Sequence, residues 1–187
     1  KKITARYPNR EDACDFIEKM TAPLGKNREK LITAPDNFYE YDILGALKSN
    51  MVEKFYIPAT DECPDVRDFV KMVHENGGIA AYAYLGDVGD SVTGDKKSQK
   101  FEDDYLDLLF DELHGLGFAA VTYMPSRNTK EQLDRVMNLC EKHGFFQISG
   151  EDINSPRQSF ISRAMGNPMF QNLIDATWKL IEHEKNA

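Results

Sequence analysis

Three short apolar runs, each introduced by an amphipathic helical pattern that stops on glycine, limit what this chain can fold into. Val66, Phe69, Val70 and Val73 recur at helical spacing, and the segment stops at Asn76-Gly77-Gly78. Ile79 to Leu85 then reads as a strand closed by Gly86-Asp87. Phe101, Tyr105, Leu106, Leu108, Leu109 and Leu113 mark a long helix ending near Gly115, and Phe118 to Met124 is a second strand closed by Pro125. Thr129 and Gln132 form a capping box for a helix carrying Leu133, Val136, Met137 and Cys140. Its last turn, Lys142-His143-Gly144, puts cations and a glycine where the helix dipole and the C-cap favour them, and Phe145 starts the third strand. Asn167-Pro168 opens a final helix through Leu173, Ile174, Trp178 and Ile181. Strands apolar on both faces that alternate with helices imply an α/β fold with a parallel sheet. Three such strands leave two long unpaired edges, so the sheet is expected to be completed by another part of a longer chain or by a partner subunit.

The first sixty residues follow a different pattern. Ala13, Phe16, Ile17 and Met20 predict one helix and Tyr39, Ile43, Leu44 and Leu47 another, joined through the turn-rich Pro23-Leu24-Gly25-Lys26-Asn27. The expected organisation is a helical subdomain over 1–62 and an α/β portion over 63–187. With 187 residues and 41% hydrophobic content, the chain can bury one good core and a small satellite. A formal net charge of −8 argues against nucleic-acid binding, which needs a basic face. No run of eighteen apolar residues and no signal-peptide pattern occurs, so the expectation is a soluble, cytoplasmic protein that does not engage a membrane. The start at Lys1-Lys2-Ile3 suggests a piece of something longer. Cys14, Cys63 and Cys140 are too few and too widely spaced for a disulfide framework or a zinc ribbon.

Chemistry concentrates in Ile148-Ser149-Gly150-Glu151-Asp152-Ile153-Asn154-Ser155-Pro156-Arg157. Two adjacent carboxylates, an amide and a guanidinium emerge there from the end of the third strand, and the carboxyl ends of parallel strands are where α/β folds bind ligands. Neighbouring acids repel one another unless a cation or donors compensate.

The layout from Gly77 to Arg157 resembles the PHP (polymerase and histidinol phosphatase) superfamily of metal-dependent phosphoesterases, which are irregular seven-stranded β/α barrels. A family strand of the form G-G-I-x-x-x-A-H-P-G is similar to Gly77-Gly78-Ile79-Ala80-Ala81-Tyr82-Ala83-Tyr84-Leu85-Gly86. Its E-x-Y-x-P-S-H segment resembles Val121-Thr122-Tyr123-Met124-Pro125-Ser126-Arg127, and its G-S-D-x-H motif resembles Gly150-Glu151-Asp152-Ile153-Asn154. The resemblance implies a partial PHP-type β/α barrel, with residues 1–65 matching only the variable helical insertion. It places family metal ligands at Tyr84, Arg127, Asp152 and Asn154, of which only Asp152 matches outright. The family's opening H-x-H motif lies in a region this sequence does not contain, so the chain resembles the C-terminal part of such a protein.

On that resemblance the intact protein hydrolyses a small phosphorylated substrate with a divalent metal, Mn, Zn, Fe or Mg. Asp152, Glu151 and Asn154 would be ligands, Arg127 and Arg157 would hold the phosphate, and Tyr84 with Arg127 would assist the reaction. The alternative is a degenerate, non-catalytic domain that binds a ligand or partner, with the metal lost. Each residue also has a plainer reading. Asp152 and Asn154 suit turn caps, and Glu151 suits a solvated loop. Arg127 and Arg157 suit structural ion pairs to Glu151 and Asp152, and Tyr84 suits space filling. Asp87 and Asp90 either extend an oxygen-rich rim or sit in a solvated glycine-rich loop. His74, His114 and His143 fall near helix C-termini and His183 lies in the last helix, so all four read as structural. Cys140 falls on a buried helix face, where a thiol is inert.

Overall fold

A computed structural model of the chain describes residues 5–55, 57, 60, 62–89, 99–153 and 155–186. It is a mixed α/β structure, mostly helical, that divides into two compact units. The first comprises Lys1–Glu62 with Ser155–Arg157, and the second comprises Cys63–Asn154 with Gln158–Ala187.

In the first unit, helices α1 (Arg10–Met20), α2 (Lys26–Thr33) and α3 (Tyr39–Phe55) enclose a small core of Ala13, Cys14, Ile17, Leu24, Leu31 and Ile43. Helix α2 starts at the end of the Pro23–Asn27 link and runs through residues for which the sequence suggested no helix. Its apolar pattern is thin, and polar side chains fix its ends instead. Glu18 accepts from the Leu24 amide at 2.9 Å, ahead of its first turn, and from Arg28 at 2.7 Å. The Arg10 guanidinium donates to the Leu31 carbonyl at 2.9 Å and the Pro35 carbonyl at 2.6 Å, which satisfies acceptors that a helix end leaves open. Arg157 also belongs to this unit. It grips Asp42 through two bonds of 2.7 and 3.0 Å and lies 4.4 Å from the centre of the Phe38 ring.

The second unit holds α4 (Val66–Glu75), β1 (Ala81–Ala83), α5 (Leu106–Leu116), β2 (Ala120–Tyr123), α6 (Lys130–His143), β3 (Phe146–Ser149) and α7 (Gln171–Asn186). The strands are parallel in the order β1-β2-β3, so α5 and α6 are the crossovers. The capping box at Thr129 is complete, with the Gln132 amide donating to the Thr129 hydroxyl and the Gln132 side chain accepting from the Thr129 amide. Gly117 and Gly144 end α5 and α6 at φ of 87° and 73°, where a side chain would be strained.

Register shows how the sheet is covered. Tyr82 pairs with Val121 and Val121 with Gln147, while Tyr123 pairs with Ser149. Because side chains alternate along a strand, these residues and Tyr84 share one face. The core takes Tyr84, Val121 and Tyr123 from that face. They meet Leu106, Phe110 and Leu113 of α5, Leu133, Val136, Leu139 and Cys140 of α6, and Leu173 of α7. The opposite face consists of Ala81, Ala83, Ala120, Thr122, Phe146 and Ile148, none of which joins that core. Ala81 and Ala83 are exposed, Thr122, Phe146 and Ile148 are half-buried, and Ala120 is buried. Parallel sheets are normally covered on both faces, and among the described residues this second face is only partly covered.

Among the described residues neither β1 nor β3 has a second partner strand, and the three strands form an open sheet, not a closed barrel. Free strand edges favour pairing between chains. The protein is therefore expected to self-associate well above micromolar concentration, and a strictly monomeric mass by light scattering there would refute this. No helix among the described residues is long and apolar enough to cross a membrane. All three cysteines are free, and burial pushes the Cys140 thiol up to about 12.

Candidate functional site at the strand ends

The C-terminal end of β1 is built around Tyr84. Its amide donates to the Thr122 carbonyl at 3.0 Å, its side chain is 1% exposed, and its hydroxyl donates to Asp103 at 2.6 Å. Burial first, then that hydrogen bond, push the phenol well above its ordinary pKa, so it stays protonated. The other oxygen of Asp103 accepts from the Asp87 amide at 2.9 Å and from the Gln132 side chain at 2.7 Å. Burial raises the Asp103 carboxyl, but hydrogen bonds from Tyr84, Gln132 and the Asp87 amide, with the Arg135 charge, outweigh it. The group ends below its ordinary value.

Around this pair the 85–87 turn is tied down from every side. Glu102, 2% exposed, accepts from the Leu85 amide at 2.8 Å. Asn128 donates to the Leu85 carbonyl at 2.8 Å and accepts from the Met124 amide at 2.9 Å, linking this turn to the one after β2. Gln132 also donates to the Asp87 carbonyl, and Asp87 accepts from the Phe101 amide at 2.6 Å. Gly86 sits at φ 70°, and a Cβ there would lie 2.8–2.9 Å from Gln132, Asn128 and the Tyr84 hydroxyl. Asp87 thus serves as a structural acceptor. Asp90 lies outside the described residues.

After β2, the Arg127 amide closes a turn on the Met124 carbonyl at 3.0 Å. Arg127 is half-buried, and its guanidinium has no hydrogen-bond or ion-pair partner among the described residues. After β3, the Gly150 amide donates to the Tyr123 carbonyl at 2.7 Å, and a Cβ on Gly150 would stand 3.1 Å from that same oxygen. Glu151 accepts from the Ser126 amide at 2.6 Å and from the Ser162 hydroxyl at 3.1 Å, so it clasps the turn that carries Arg127 without pairing with its charge. Asp152 is exposed and has no partner among the described residues. Asn154 lies outside them.

No protein-family model, curated protein or solved structure matches the chain. The site is therefore read from its own geometry. The structure brings Glu151 to the Arg127 turn and leaves Asp152 beside it in the sequence with a free carboxylate. Tyr84 is drawn into the helix-covered face, and Arg157 into the helical unit. Among the described residues no three His, Cys, Asp or Glu side chains are grouped to hold a metal ion. The described residues at the strand ends do not by themselves fit a divalent metal. The Tyr84 oxygen is buried and committed to Asp103, Arg127 is a cation, and Asp152 is a single exposed acid.

Sequence reasoning missed Glu102, Asp103, Asn128, Gln132 and Arg135, which hold these loops. Of these, only Gln132 carried a reading, as a capping residue. Only the buried hydroxyl expected of a tyrosine at the end of an apolar strand hinted that an acceptor had to be near.

Proposed function

We propose that this chain is a PHP-like β/α domain whose hydrolytic centre has been lost, and that its strand-end rim binds an anionic ligand or partner group through Arg127. The observation that carries this reading is the Tyr84 hydroxyl, buried and donating to Asp103 where the resemblance places a metal-binding imidazole. Arg127 supports it, as a guanidinium with no described partner at a second such position, with a planar fork suited to phosphate or carboxylate. The partly covered sheet face and, among the described residues, the two free strand edges support the partial barrel. In a barrel the helices ring the outside, and further strands would cover the face that carries Ala81, Ala83 and Ile148.

A second reading has its own observation. The Asp152 carboxylate is exposed and unpartnered at the one position that matches a family ligand. In a metal-dependent phosphoesterase, this acid would need further ligands from segments outside the sequence, and the metal would activate water there. Metal analysis by mass spectrometry after reconstitution with Mn, Zn or Fe, on the parent and on Asp152→Ala, separates the two. The non-catalytic reading expects no stoichiometric metal in either protein and no hydrolysis of p-nitrophenyl phosphate. Bound metal that falls with Asp152→Ala, together with turnover, would reverse the conclusion.

A further inference from the structure

A cleft of about 390 Å³ opens along α4, between that helix and the C-terminal end of α5. It lies at the end of the unit from which β1 and β2 begin, since α4 and α5 each run out just before the strand that follows. This is the opposite end from Arg127, Glu151 and Asp152. One wall carries Arg67, Lys71 and His74, which recur every three or four residues and so project from one side of α4. The other wall is Gly115, Leu116 and Gly117. A Cβ at Gly117 would come within 3.7 Å of both Val70 and His74, so α4 approaches the α5 terminus most closely there. A Cβ at Gly115 would meet nothing within 4 Å. The space is thus left beside main chain that carries no side chain, with the buried Val70 at its base.

Three basic side chains, Arg67, Lys71 and His74, face this cleft with one acid, Glu75, in a chain whose formal net charge is −8. Their acidic neighbours do not hold them firmly. Arg67 lies 3.6 Å from Asp65 and Lys71 3.8 Å from Glu75, and all four side chains are more than half exposed, where such pairs contribute little. The dipole of α4 does not explain Arg67, because its first turn is where a cation is disfavoured.

We infer that this cleft binds a small molecule through a phosphate monoester, with Arg67 and Lys71 on its oxygens, His74 beside them and Leu116 and Val70 against its carbon skeleton. The cations outnumber the one cleft carboxylate, Glu75, the Arg67 fork matches the phosphate oxygens in pairs, and the volume suits a compact metabolite. This inference is independent of the rim and of whether the domain hydrolyses anything.

The test is an amide chemical-shift titration with inorganic phosphate as the probe, against sodium chloride at matched ionic strength. Saturable shifts at residues 66–75 and 115–117 are expected, separate from any at the Arg127 rim. The dissociation constant read from those residues should rise at least tenfold in the Arg67→Ala, Lys71→Ala double variant and stay within twofold in Lys130→Ala, an exposed cation on α6. Both replaced side chains are more than 70% exposed, so the double variant should fold normally. Shifts that follow ionic strength alone, or that survive the double variant, would overturn the inference. Loss of binding in Arg127→Ala with the cleft intact would place the phosphate at the rim instead.

Discussion

Asp103→Ala should destabilise the second unit by about 3 kcal/mol, because it strands three donors at once: the Tyr84 hydroxyl, the Asp87 amide and the Gln132 side chain. Tyr84 is the most enclosed of the three and contributes most of the cost. Tyr84→Phe removes one donor from a carboxylate that keeps two others, so about 1 kcal/mol is expected. The double variant should cost less than the sum, which a double-mutant cycle by urea denaturation would read directly. Fully additive losses would mean that the two side chains do not act together. The same carboxylate sets a pH dependence. Its folded pKa is depressed, so the unfolded chain takes up the proton first, near pH 3.9. The stabilisation is complete above that value and drains away as pH falls through the lower folded one. Asp103→Asn should flatten this acid limb while leaving the remainder of the pH profile in place.

Phe110→Ala should cost about 3–5 kcal/mol, the range for a large aromatic removed from a closed core. Phe110 is 0% exposed and meets Phe145 edge-on with ring centres 5.6 Å apart. The readout is selective. Trp178, the only tryptophan, lies on α7 of the second unit, so its fluorescence follows that unit, whereas the core of the first unit is a separate cluster. The Trp178 transition should move to much lower urea while helical circular dichroism retains the contribution of the first unit. An unmoved Trp178 midpoint would show that the ring does not support the sheet.

The strand and helix alternation of the second unit was legible because local chemistry marks it. Asn76-Gly77, the Thr129–Gln132 box and Gly144 each fix a helix end within a few residues, and apolar runs lie between them. The strands proved shorter than their apolar runs, because only Ala81–Ala83, Ala120–Tyr123 and Phe146–Ser149 find neighbours to pair with. The site was less legible. Asp103 meets partners 16, 19 and 29 residues away, and no local pattern announces such a convergence. Arg157 misled for the opposite reason. Five residues from Asp152 in sequence, it is bonded to Asp42, 115 residues away. Helix α2 was missed because Arg10 and Glu18, not an apolar stripe, hold its ends.

That excursion of Ser155–Arg157 bears on the order in which the protein can mature. A chain leaving the ribosome releases α1, α2 and α3 first, and domains generally fold as they emerge. Asp42, only 10% exposed, then has Arg10 at 3.6 Å as its counter-charge. The guanidinium that grips it in the finished molecule lies 115 residues further along the chain and has not yet been made. The helical unit is therefore begun first and completed late, after all three strands of the other unit have been translated. Its final consolidation reports that translation has passed β3.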